Sequence, residues 1–130
     1  MRFLTVCVLL AIATRSIYAL DALYFQTNDP AGNHIVVHAI QDDGTVEFVS
    51  TEYAGGLGGA LNVGHPDALF SQDSVVIGRN FLYAVNAGSN TIATFKIEPS
   101  SPTTISFVKT VPSGGDFPIS LAYSDRKSVV

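Results

Sequence analysis

A unit of strand, asparagine-bearing turn and strand recurs along this chain, and an internal repeat constrains a fold more than any single residue does. Residues 82–98 read as an apolar strand, the turn Asn86-Ala-Gly-Ser-Asn90, and a second strand whose apolar positions are Ile92, Phe95 and Ile97. β-Branched and aromatic strand formers thus flank residues that accept positive φ or bond their own backbone. Residues 23–40 repeat the pattern: Tyr24 falls on Tyr83, Asn28 on Asn86 and Asn33 on Asn90, with Val36 and Ile40 near Ala93 and Ile97. Each copy leads through a polar turn to a third strand, Thr45-Val-Glu-Phe-Val49 and Thr104-Ile-Ser-Phe-Val108. A partial third copy, residues 119–130, matches residues 74–83.

The copies are spaced by 59 residues between the two tyrosines and by 47 between Tyr83 and its counterpart Val130. Four-stranded units at roughly 40–50 residues are the signature of propeller blades. The expected fold is therefore all-β: a β-propeller fragment of about two four-stranded antiparallel blades plus the start of a third. A single small β-sandwich, with short strands and a turn every 8–12 residues, fits the same pattern of turns. The first blade spans about 20–54, an insertion loop 55–73, the second blade about 74–112, and the start of the third 113–130.

Residues 1–19 stand apart as a secretory signal peptide. Arg2 forms a short positive start, residues 3–13 an apolar run of 11, and Ala19 a small residue at the cleavage position. That run falls short of the roughly 20 residues needed to span a bilayer. The sole cysteine, Cys7, leaves with the leader, so the mature chain holds no disulfide and must rely on burial and strand pairing. Without Arg2 and Arg15, five basic residues face eleven acidic ones, a net charge of −6 with histidine neutral. Nucleic acid and anionic membrane both require a basic face and are not expected partners. The expected location is extracellular.

Along the mature chain, strands are expected at 22–27, 35–40, 46–53, 74–77, 81–86, 91–97 and 105–111, with Glu98 to Pro102 as a polar turn. Asp42-Asp-Gly44 is a hairpin signal. The glycine-rich residues 55–67 form a long connection, a kind of loop that is disproportionately functional. They lack the Gly-Lys-Ser/Thr end of a phosphate loop and the spacing of a dinucleotide fingerprint. Ala68, Leu69 and Phe70 form an apolar clasp that pins the loop down. Because strands alternate in direction, the 28–34, 86–90, 55–73 and 113–116 loops share one end. That rim collects Asn28, Asp29, Asn33, His34, His65, Asp67, Asn86, Ser89, Asn90 and Asp116, and is where a small polar ligand would sit. The opposite rim collects Asp42, Asp43, Arg79 and residues 96–101.

His65-Pro-Asp67 is the sharpest pairing on the ligand-binding rim. It can serve as general base and orienter, as metal ligands, or simply as loop hydrogen bonding and a cap on the next turn. His34 and His38 lie on one side of a strand but about 13 Å apart, too far to share a metal. Asn28, Asn33, Asn86 and Asn90 suit turn geometry as well as they suit ligand binding. Ser71 and Ser74 lack the context of a nucleophile elbow. No metal and no cofactor is expected.

Four stretches resemble a known family: Pro66-Asp-Ala-Leu-Phe-Ser-Gln72, Val85-Asn-Ala-Gly-Ser-Asn-Thr91, Ile97-Glu-Pro-Ser-Ser-Pro-Thr103 and Ser113-Gly-Gly-Asp-Phe-Pro118. They are similar to secreted fungal members of the seven-bladed lactonase-like propellers, which include relatives of 3-carboxymuconate cyclases and 6-phosphogluconolactonases. The resemblance implies a propeller that opens or closes lactone rings on acidic substrates without a dissociable cofactor. Seven blades of about 47 residues need about 330 residues, whereas 111 follow residue 19. The chain is thus expected to be a truncated fragment of a lactonase or carboxymuconate-cyclase-like propeller, inactive alone. Its partners would be a small acidic lactone or muconate-type ligand, the missing blades, or further copies of itself. The alternative is a non-catalytic secreted or cell-surface propeller that binds a partner through the same rim.

Overall fold

The computed structural model describes residues 21–60 and 69–125. The leader, His65, Asp67 and Ala68 lie outside the described residues. Among the described residues seven strands form two antiparallel sheets. The first holds β1 (Asp21–Gln26), β2 (His34–Ile40) and β3 (Val46–Tyr53); the second holds β4 (Val75–Gly78), β5 (Phe81–Asn86), β6 (Thr91–Glu98) and β7 (Ser101–Pro112). Among the described residues there is no α-helix, one 3₁₀ turn at Ala87–Ser89, and no helix long and apolar enough to cross a membrane.

The two sheets carry the same hydrogen-bonding register. Thr27 N–H donates to the His34 carbonyl, and Asn86 pairs with Thr91, closing the β1–β2 and β5–β6 hairpins. Three rungs in from each closure stand Tyr24–Val37 and Tyr83–Thr94. The next ladders break at equivalent places. Val37 pairs with Ser50 but His38 with Phe48, so Val49 is extra; Thr94 pairs with Lys109 but Phe95 with Phe107, so Val108 is extra. A β-bulge of this kind bends its strand and sharpens the local twist. The ring pairs beside the two bulges also agree: His38–Phe48 at 5.8 Å and 77°, Phe95–Phe107 at 5.6 Å and 75°.

Each sheet has a face that carries its tyrosine and a reverse face. The tyrosine face of the first sheet (Tyr24, Ile35, Val37) packs onto the reverse face of the second (Leu82, Ala84, Ala93, Phe95, Ile97, Ile105), making the main core. Leu82, Phe95, Ile35 and Val37 are wholly buried, each worth roughly 1.5–3 kcal/mol on leaving water. The tyrosine face of the second sheet is covered in part by the segment that follows β7. Leu69, Val85 and Ala87 form a second cluster there with Phe117, Ile119 and Leu121, and Tyr123 stacks on Tyr83 at 6.0 Å. Of the apolar clasp, Leu69 is thus buried while Phe70 is 56 % exposed.

Four expectations need correction. The first sheet has three strands among the described residues, not four. Residues 119–123 run across a sheet face instead of beside a strand, so they have no ladder and are not a strand. β7 begins at Ser101, because Pro99 and Ser100 alone make the turn (Glu98 pairs with Ser101), and Pro102 is tolerated on an edge strand that needs no N–H there. Lastly, the residue at the Asn86 rung is Thr27, not Asn28: the first loop is two residues longer, which carries Asn28 past the end of β1.

Candidate functional site: the asparagine rim

The loops β1–β2, β5–β6, the start of the 55–73 connection and the segment after β7 gather at one end of the two sheets. Asn33 and Asn86, both fully buried, form the joint between the sheets. The Asn33 amide donates to the Val85 carbonyl (3.0 Å) and to Asn86 Oδ1 (2.9 Å), while its Oδ1 accepts the Asn28 N–H (2.9 Å). The Asn86 amide donates to the Ala54 carbonyl (2.9 Å) and to Thr91 Oγ1 (3.1 Å). Every polar atom of these two side chains therefore has a partner. Neutral amides are suited to such a place because one side chain both donates and accepts without carrying a charge into the core.

Asn28 and Asn90 share a second role. Both adopt left-handed backbone, φ 53° and 58°, a conformation asparagine tolerates better than other residues with a Cβ. Each then clamps the connection that leaves its own sheet. Asn28 Oδ1 accepts the Gly59 N–H (2.9 Å) and its amide donates to the Gly59 carbonyl; Asn90 Oδ1 accepts the Phe117 N–H (2.8 Å). The Asn90 amide donates to Asp116 Oδ1 at 3.1 Å. The Asn90 backbone carbonyl also accepts the Ser113 N–H, as the Asn33 carbonyl accepts that of Ala54. Work done by one asparagine in the second copy is divided between two in the longer loop of the first.

The remaining rim residues are held in the same way. His34 Nδ1 lies 2.8 Å from the Gly32 carbonyl, and its ring packs against Tyr53 at 5.3 Å. Asp29 Oδ1 accepts the Ala31 N–H, an Asx turn, and the Asp29 carbonyl accepts the N–H groups of Gly32 and Gly58. Ser89 Oγ accepts the Leu57 N–H at 3.0 Å. The structure thus brings Asn28, Asn33, His34, Asn86, Asn90 and Asp116 to one end, while His65 and Asp67 lie outside the described residues. His38 is set apart from that rim, stacked on Phe25 at 5.5 Å.

Sequence reasoning missed the part played by the glycines. At Gly56 an added Cβ would stand 2.5 Å from Ser89 Oγ; at Gly58 it would overlap the Asn28 carbonyl, and at Gly88 the Gly58 carbonyl oxygen. At Gly58 and Gly88 neighbouring backbones approach too closely for any side chain, and at Gly56 the Asn86 and Ser89 side chains do. The signal available was the run of glycines itself, which discourages helix and strand but does not say what lies opposite.

Burial pushes the Tyr24 phenol above its ordinary value of 10.0, and its hydroxyl donates to the Pro102 carbonyl across the sheet interface. On the opposite end, hydrogen bonds from Thr45 hold the Asp43 carboxyl below its usual range. At the end of the crossing segment, the hydrogen bond from the Tyr123 hydroxyl lowers Asp125, which also pairs with exposed Arg79 at 3.1 Å. Among the described residues no group of three histidine, cysteine or acidic side chains could hold a metal. The described rim residues lock loops together. Comparison of the chain with protein-family models, curated proteins and solved structures finds no match in any of the three.

Proposed function

We propose that this chain is a two-sheet portion of a secreted, lactonase-like β-propeller, and that alone it is a structural unit without turnover. The observation that carries it is the repeated register: two sheets with the same rungs, the same bulge and a tyrosine face seated on a reverse face. A propeller is built from such units, each hiding the apolar flank of the next. Lactone opening needs an acid or base within hydrogen-bond reach of the ring and donors for the developing oxyanion. The described rim instead commits its asparagine amides to backbone and side-chain partners within the chain. Lactonase chemistry would thus fall to groups beyond the described residues, His65 and Asp67 included.

The same commitment of the rim favours a second reading, a non-catalytic secreted propeller that binds a partner. One assay separates the two from an active fragment. The secreted chain, incubated with a muconate-type lactone and with a sugar lactone, is expected to hydrolyse neither above the buffer rate. Turnover that His65→Ala abolishes, with the sheet spectrum by circular dichroism unchanged, would overturn the inactive-unit reading and make this rim an active site.

A further inference from the structure

Equivalent faces of the two sheets are covered unequally. The reverse face of the second sheet is buried, with Leu82 and Phe95 at 0 % exposure. Their counterparts on the first sheet, three rungs and one bulge apart in the same register, are Leu23 and His38. Leu23 and Phe25 are each 44 % exposed and Phe48 is 60 % exposed. Contiguous exposed apolar area of this kind marks a contact surface. On the other side, the tyrosine face of the second sheet holds an apolar cavity of about 140 Å³ lined by Val76, Tyr83, Ile92, Leu121, Ala122 and Tyr123. Tyr83 and Ile92 are the counterparts of Tyr24 and Ile35, against which the reverse face of the second sheet packs inside the chain.

The chain therefore carries both halves of a contact it already makes internally. We propose that a second copy of this chain docks head to tail, the face that carries its Leu23, Phe25 and His38 packing over the Tyr83–Ile92–Leu121 cavity of the first. Among the described residues β1 has no neighbour on its outer edge, whereas its counterpart β5 pairs there with β4. In the docked pair that open edge lies beside residues 119–123 of the first copy, where backbone pairing adds to apolar burial. A contact of two different faces is heterologous, so it leaves one of each face free for a further copy. The inference rests on the stacked-sheet reading above and adds the partner.

The test uses chain secreted by an expressing host, followed by sedimentation and light scattering from low to high micromolar concentration. Mass is expected to rise with concentration beyond that of one chain. Phe25→Lys blocks the reverse face and Ala122→Arg fills the cavity; both sites are solvent-exposed. Each variant alone should associate at least about tenfold more weakly, and a mixture of the two should give a pair that stops at two chains, one open face of each kind having been spent. Association abolished by Phe25→Lys but untouched by Ala122→Arg would mean reverse face on reverse face and would overturn the proposal. So would a monomer at every concentration. Cross-strand nuclear Overhauser contacts recorded on that monomer separate the two levels: both bulges present sinks the docking and leaves the stacked sheets, and a missing bulge sinks both.

Discussion

Asn33 reaches across 52 and 53 residues of sequence to Val85 and Asn86, and this joint is what fixes the two sheets at the rim end. Asn33→Ala removes two donated bonds and one accepted bond, leaving buried Asn86 Oδ1 and the half-buried Asn28 N–H without that partner. Each such loss costs about 1–3 kcal/mol, so we expect a total of about 2–4 kcal/mol, read as a lower urea midpoint with an unchanged slope. A loss below about 1 kcal/mol would show that water replaces the amide and that the joint is not structural. Tyr24 is the second residue spanning the sheets, and its phenol titrates above the ordinary value because burial disfavours the charged form. A folded-state value above the unfolded one means the folded chain holds its proton more tightly. The stability so gained is fully present below pH 10.0 and is lost as pH rises through the folded value. Denaturation midpoints measured from pH 8 upward should fall through that window and fall less in Tyr24→Phe. An equal fall in both proteins would remove Tyr24 as the cause.

At the level of elements, burial differs between positions that register makes equivalent. Phe95 on β6 is wholly buried against the first sheet, while its counterpart His38 on β2 lies on the open reverse face beside exposed Phe25 and Phe48. Phe95→Ala should therefore cost about 3–5 kcal/mol, and His38→Ala, measured in dilute monomer, less than about 1 kcal/mol. Comparable losses would contradict the stacking direction. The strands themselves were legible from alternation and turn residues: Asp42-Asp-Gly44 does mark the β2–β3 turn, and Asn86 to Asn90 the β5–β6 turn. The early start of β7 was not legible, because Pro102 is a breaker in a central strand and harmless on an edge. The bulges were not legible either. A bulge is a mismatch between two strands, and Phe48-Val49 and Phe107-Val108, though repeated in sequence, do not announce which residue will be skipped.

For the whole molecule, strand alternation alone placed the rim. Once the strands run up and down, the loops that carry Asn28, Asn33, His34, Asn86, Asn90 and Asp116 must share an end. Their chemistry was hidden because an amide serves a ligand and a distant carbonyl equally well, and the two acceptors of the Asn33 amide are more than fifty residues away. The glycines at 56, 58 and 88 show the same limit: the sequence does not say what lies opposite them, which is the Asn86 and Ser89 side chains at Gly56 and neighbouring backbone at Gly58 and Gly88. The central claim is that two copies of one strand unit stand face to back in the same register. Solution nuclear Overhauser contacts between paired strands measure it most directly. The account predicts His38 beside Phe48 and Phe95 beside Phe107, with Val49 and Val108 both unpaired and with contacts between Tyr24 and β7. A regular ladder through either valine, or ladder contacts joining β1 or β3 to a strand of the second sheet, would contradict it.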